Sequence, residues 1–418
     1  MIPEEAGLTT TKHKVLLLED TSLPSRGPFR KIPGRTLGTV HSTNVYKVAA
    51  PVEVHQFKQF LALKVIKCQI RNRDVEDRKV ALREVKNMMP VDHLHIVVYV
   101  ASFEQMLLGR EPREVKIDGR KTVVVKDVVL EYNLGIAMYP AGLCDLSEYM
   151  EKIDDNRRHQ MFRFFGCLSQ AVSYLHSQKI RLKHKDIKPA NIIVDSFNQP
   201  LLTDFGISKH YRAGEASKSD GWTYKTDKYA CPQSTDESER DYRSDVYSLG
   251  CVFLEMATVI LCEQDFLPKM ENFRGAINNK PSYCETLPKV NEWLNKLAAS
   301  QDADGDLLCS TLVPALEHIR KMLSFELKDR PWADQLWDYF KGLYIYNEQG
   351  IMHGIDEKSV GVSSKPCVRC DAQSKKTELE GPVRIDRAEA LAKLRRVIHN
   401  VALVSRATNN IANHGRTT

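Results

Sequence analysis

The chain has 418 residues, 42% of them apolar, with 60 basic against 54 acidic residues and a formal net charge of +6. That length and apolar share suffice for a sizeable core and for two or three structural units. The charge is mild for the size and spread along the chain, which by itself argues neither for nor against nucleic acid; no nucleic-acid partner is expected.

No run of eighteen apolar residues occurs, and Val15 to Leu18 is too short for the apolar part of a leader, so no transmembrane segment is expected. The ten cysteines are scattered, a usage that suits a reducing compartment. A soluble intracellular protein, cytoplasmic or nuclear, is the expectation.

Residues 1–30, with Pro3, Pro24 and Pro28 among mixed polar residues, read as a poorly ordered leader. Leu37-Gly38-Thr39-Val40-His41-Ser42-Thr43-Asn44-Val45-Tyr46 reads as strand, turn and strand. Leu61-Ala62-Leu63-Lys64-Val65-Ile66 is an apolar strand holding one lysine, and Leu82-Arg83-Glu84-Val85 lies in a helical stretch that ends near Met89-Pro90. Taken alone, Lys64 is a side chain reaching for water and Glu84 a charge on a solvated helix face. Between Gln105 and Glu131, Asp118-Gly119 is a strong turn signal amid alternating residues, which predicts a β-hairpin. From Asp145 to about residue 345 the pattern is mainly helical, with Met161 to Leu168 and then Ala171, Val172, Tyr174 and Leu175 at core spacing.

The most informative run is His184-Lys185-Asp186-Ile187-Lys188-Pro189-Ala190-Asn191, followed by Asp204-Phe205-Gly206. Ile192-Ile193-Val194 and Pro200 to Thr203 read as two short strands about a turn, a hairpin that brings Asn191 and Asp204 together. The residue types suit phosphoryl transfer. Asp186 can accept a proton from an attacking hydroxyl, Lys188 can neutralise phosphate charge, and Asn191 with Asp204 can hold magnesium. An isolated Asp-Phe-Gly is a weak signal, whereas the two motifs in order are specific.

With Lys64 and Glu84 twenty residues apart upstream, and Tyr229-Ala230-Cys231-Pro232-Gln233, Asp245 and Asp329-Arg330-Pro331 downstream, the chain resembles a eukaryotic protein kinase of the serine/threonine type over about residues 30–345. The resemblance implies an α+β, two-lobed protein-kinase-like fold: a mainly-β N-lobe with one helix over 31–136, and a mainly-α C-lobe over 137–345. It implies ATP and magnesium as cofactors and a protein substrate with a serine or threonine acceptor, since Lys188 follows the catalytic aspartate by two positions. In it Lys64 holds phosphates and Glu84 holds Lys64, while Gly38, Val45, Ala62, Ile136 and Met138 complete the nucleotide-binding set. Ile136 to Pro140 would link the lobes, Asp245 would support the catalytic loop, and Arg330 would pair with Gln233.

Three departures accompany the resemblance. Val40 and Thr43 stand where the nucleotide loop of the family has glycines, Lys185 replaces an arginine beside the catalytic aspartate, and Gln233 replaces a glutamate. They leave a pseudokinase, a nucleotide-binding or scaffold module, as the alternative. Thr223 is the expected phosphate acceptor of the activation segment, and Thr226 the threonine beside the substrate. Residues 346–418 form a tail with a loose connector and the pair Cys367 and Cys370, read as a turn. A basic amphipathic helix is expected near 386–405, to dock on the kinase domain or on a partner.

Overall fold

Leu61, Leu63 and Val65 alternate with Ala62, Lys64 and Ile66, the two-residue period of a strand whose faces meet different surroundings. In the computed structural model, which describes residues 13–18, 30–40, 43–49, 60–68, 75–117, 120–210, 227–234, 241–262, 282–299 and 307–340, this segment sits inside a six-stranded sheet. The described elements begin with β1 (His13–Leu18), β2 (Arg30–Val40), β3 (Thr43–Ala49), β4 (Leu61–Cys68), helix α1 (Val75–Met88), β5 (Val98–Ile117) and β6 (Arg120–Tyr139). The sheet order is β1-β5-β6-β4-β3-β2, antiparallel throughout except for β1 beside β5.

One face of this sheet packs Leu61, Leu63 and Val65 with Val48, Val98, Val100 and Ala137 into a core cluster. Fully burying each of the larger side chains contributes about 1.5–3 kcal/mol. Helix α1 buries Ala81, Glu84, Val85 and Met88, the three- and four-residue spacing of a single stripe. Glu84 therefore lies within the buried face of its helix and not on a solvated one.

The expected hairpin over 105–131 is present as the outer parts of β5 and β6, paired down to Ile117 and Arg120. Two expectations are corrected. His13–Leu18, within the leader read as poorly ordered, forms a strand in register with Ser102 to Leu107. Ile136 to Tyr139 are not a link but the last residues of β6, laddered to β4 and β5 and buried at Ile136, Ala137 and Met138. An apolar run covered on both faces gives no alternation to separate strand from connector. The described residues divide into two compact units, the first holding those up to Met89 and from Val98 to Ala141, the second those of Pro90–Val97 and from Gly142 onward.

The second unit is mainly helical. It holds β7 (Cys144–Asp145), α2 (Leu146–Glu151), α3 (Asp155–His176), β8 (Leu182–Lys183), β9 (Ile192–Val194), β10 (Pro200–Leu202), β11 (Lys209–His210), α4 (Arg243–Leu261), α5 (Leu287–Ala299), α6 (Leu307–Met322) and α7 (Ala333–Phe340). Asp154 caps α3 by accepting from Arg157 N at 2.8 Å. Phe165 of α3 meets Phe253 of α4 and Phe340 of α7 at centroid separations of 4.8 and 5.8 Å. By length and composition α4 has the makings of a membrane span, but it is the central core helix of this unit, buried from Ser244 to Leu261. The expected phosphate acceptor Thr223, the neighbouring Thr226, the Cys367 and Cys370 pair and the tail helix over 386–405 lie outside the described residues.

Gly250 lets α6 approach α4. A Cβ placed there would lie 2.9 Å from Cβ of Met322 and 3.2 Å from Leu323. Gly250→Val should cost roughly 1–3 kcal/mol or more by overpacking; urea unfolding of the full chain measures it, and an unchanged midpoint would contradict this packing.

Candidate active site

The six residues expected to meet a nucleotide lie on one face of the first unit's sheet. Gly38 of β2 is in register with Val45 of β3, Val45 with Lys64 of β4, and Lys64 with Ile136 of β6. Ala62 pairs with Met138 one pleat away, which keeps both on the same face. This face lies opposite the core cluster. Val40 and Thr43, where glycines are expected, are themselves a cross-strand pair at the end of the β2–β3 hairpin.

On that face Lys64 Nζ donates to both oxygens of Glu84, at 2.8 and 2.9 Å. Glu84 is 1% exposed and the lysine side chain 13%, so the pair is largely out of water. A buried carboxylate is stabilised by a cation beside it, and truncating Lys64 would remove that charge from Glu84. Only the family order suggested this partnership from sequence, because the two residues lie on different elements.

In the second unit, residues 184–191 form the loop between β8 and β9, closed by a short 3₁₀ turn at Pro189–Asn191. Lys188 Nζ and Asn191 Nδ2 both donate to Asp186 Oδ2 at 2.8 Å, and Asn191 Nδ2 also donates to the Asp186 carbonyl at 2.8 Å. These donors fix the rotation of the Asp186 carboxylate. The same bonds turn the Asn191 amide so that its nitrogen is engaged and its oxygen remains for a cation.

The hairpin of β9 and β10 pairs Ile192 with Leu202, and Thr203 N donates to the Asn191 carbonyl at 3.0 Å. Asp204 follows directly, in the left-handed region at φ 66°, a conformation a non-glycine residue holds only under surrounding constraint. Asn191 and Asp204 are thus brought together as expected. An amide and a carboxylate oxygen suit a hard cation such as magnesium. Among the described residues no group of three or more His, Cys, Asp or Glu side chains is placed to hold a metal, so the other ligands would be phosphate and water, a usual arrangement for magnesium.

The loop is held from beneath by Asp245 in the first turn of α4. Its Oδ2 accepts from His184 N at 2.7 Å and from His176 Nε2 at 2.9 Å, and its Oδ1 from Lys185 N at 2.9 Å. Burial pushes this carboxyl up, but the His176 hydrogen bond and the charges of His176, Lys183 and His184 outweigh it and hold the group well below the usual carboxylate range. Ser208 Oγ donates to the His184 carbonyl at 2.9 Å, tying the residues after Asp204 to the same loop.

Arg330 meets Gln233 as expected, donating from Nη2 to Oε1 at 2.6 Å, and Gln233 Nε2 donates to the Phe325 carbonyl at 2.7 Å. The guanidinium also donates to the Ser324 and Phe325 carbonyls and lies over Tyr247, and burial draws it down from its ordinary value.

A second buried network was not read from sequence. Glu255 of α4, fully buried, accepts from Lys228 Nζ at 2.8 Å, from Tyr229 at 3.0 Å and from the Tyr283 hydroxyl. Its signal was present as one acid inside the apolar run Phe253-Leu254-Glu255-Met256. Tyr229, Ala230 and Cys231 line a small cavity with Lys185, Asp186, Ile187 and Asp245.

A sheet lobe and a helical lobe carrying these groups define the two-lobed kinase fold. Residues 33–339 match the model of the protein kinase domain, and the chain belongs to the protein kinase family. Mitogen-activated protein kinase 10 of Oryza sativa subsp. japonica is 27% identical over 214 residues, covering 48% of this chain and 34% of its own length. Kinase suppressor of Ras A of Caenorhabditis elegans is 39% identical over 137 residues, 29% of this chain and 17% of its own. Serine/threonine-protein kinase BIK1 of Arabidopsis thaliana is 27% identical over 177 residues, 40% and 41% of the two lengths. The chain therefore spans less than half the length of each of these relatives.

Asp245→Asn should weaken the fold by roughly 1.5–3 kcal/mol near neutral pH, the range for hydrogen bonds to a charged group. The folded-state pKa is depressed, so the carboxylate's contribution is complete above the unfolded value of about 3.9 and declines as pH falls below it. The gap between the urea midpoints of the two proteins should be constant above about pH 5 and narrow progressively as pH falls below about 4, towards the depressed folded-state value; a gap that stays constant on acidification below about pH 4 would contradict the assignment.

Proposed function

We propose that this chain is a protein kinase that transfers the γ-phosphate of ATP to serine or threonine hydroxyls of a protein substrate, with magnesium. The observation that carries the proposal is the convergence of Lys188 and Asn191 on the carboxylate of Asp186. Asp186 orients the acceptor hydroxyl and takes its proton as the oxygen bonds to phosphorus and the bond to ADP breaks. Lys188 stands beside Asp186 with a charge that offsets negative charge on the phosphoryl oxygens.

Asn191 and Asp204 would hold magnesium, which when bound neutralises phosphate charge. Lys64, fixed by Glu84, reaches the phosphates, and the face carrying Gly38, Val45, Ala62, Ile136 and Met138 receives the rest of the nucleotide. Lys188 favours serine or threonine acceptors, and BIK1 among the relatives is named a serine/threonine-protein kinase. We place the activity inside the cell, cytoplasmic or nuclear; the free thiols of Cys144, Cys167, Cys231, Cys251, Cys262 and Cys284 support that reading.

One observation favours a second reading. Val40 and Thr43 put side chains where glycine lets backbone N–H groups approach phosphate, as in a nucleotide-binding or scaffold module without turnover. Retention of Lys64, Glu84, Asp186, Lys188, Asn191 and Asp204 weighs against it.

Transfer of labelled γ-phosphate from magnesium-ATP to a mixed protein substrate separates the two. Transfer to serine or threonine should fall by about 10²–10⁴-fold in Asp186→Asn, the usual contribution of a general base. Absence of transfer from folded protein over a wide ATP range would replace the kinase reading with the scaffold one.

A further inference from the structure

Asp245 holds the two backbone N–H groups that precede Asp186, and its third donor comes from α3. His176, in the last turn of α3, directs Nε2 to Asp245 Oδ2 at 2.9 Å, with its side chain only 8% exposed and its ring 4.8 Å from that of Tyr242. A carboxylate only accepts hydrogen bonds, so the proton of this contact belongs to His176.

We propose that His176 is a positioning residue for the transfer reaction, acting through Asp245 on the loop that carries Asp186; this rests on Asp186 being the base proposed above. Both Asp245 oxygens are occupied by the loop, and among the described residues His176 alone ties the carboxylate to a different element by a side-chain hydrogen bond. Lys185, one of the two loop partners, lies at φ 71°, a left-handed conformation that persists only where its surroundings fix it. His184, the other, donates from Nε2 to the Thr203 carbonyl at 3.0 Å and faces Asp186 N with Nδ1 at 3.4 Å. Without His176 the carboxylate keeps only its bonds to the loop itself, so Asp245 and the N–H anchors of both residues can shift together. Small misplacements of a reacting group cost up to about 10²-fold in rate.

The test compares the full chain with His176→Leu, which removes the donor, and with His176→Gln, which keeps an N–H at similar reach. In H176L, kcat should fall on the order of 10–10²-fold. The KM for ATP should stay within about twofold, since the loss is of orientation and not of binding. H176Q should recover most of the lost rate. Amide exchange at His184 and Lys185 should accelerate in H176L and remain slow in H176Q.

Equal losses in both variants, a raised KM with unchanged kcat, or unaltered exchange at His184 and Lys185 would each overturn the proposal. If the natural chain transfers no phosphate, the kinase reading fails by itself, and the exchange comparison still decides whether His176 holds the loop. Should H176L not fold, His176→Asn, too short to reach Asp245, takes its place with the same expectations.

Discussion

The carboxylate of Asp245 lies entirely out of water, where an unpaired charge costs several kcal/mol. Three N–H groups offset that cost, two from the backbone at His184 and Lys185 and one from the His176 ring. Its place in the first turn of α4 adds the favourable field of a helix N-terminus. Because α4 is buried along nearly its whole length, the anchor has little freedom to move, and the loop bonded to it inherits that rigidity. The convergence of Lys188 and Asn191 on Asp186 depends on a backbone held in this way, including the left-handed Lys185.

The first unit solves a different problem with the same means. Its sheet commits the face of Leu61, Leu63 and Val65 to the aliphatic core, and Lys64 lies on the other face. Glu84 meets it from the buried stripe of α1, where a carboxylate without that lysine would be costly. Register then does the rest. Gly38, Val45, Lys64 and Ile136 belong to four strands but one transverse row, so any molecule bound along it meets groups scattered over almost a hundred positions of sequence.

The loop from His184 to Asn191 was legible because its bonds join residues two to five positions apart, and local spacing carries them. The hairpin joining Asn191 to Asp204 and the long one of β5 and β6 were legible for the same reason. Glu84 taken alone reads as a solvated charge and was matched to Lys64 only through the family order, although Ala81, Val85 and Met88 around it mark the buried stripe it occupies. The parallel pairing of β1 with β5 joins residues about ninety apart and leaves no periodic trace. The strand character of Ile136 to Tyr139 was hidden by burial on both faces. His176 meets Asp245 across 69 positions, and Lys228 meets Glu255 across 27. Such contacts exist only once the helices pack.

The meeting of Arg330 and Gln233 has a consequence for how this lobe responds to its medium. Where a glutamate would form an ion pair, the neutral amide forms a hydrogen bond that no proton removes at low pH. Its partners at Ser324 and Phe325 are backbone carbonyls, equally indifferent to acidity, and buried dipoles are screened little by salt. The segment around Gln233 is thus fastened to the residues before α7 through acceptors that acid does not protonate, while its titratable tie is the separate Lys228–Glu255 pair.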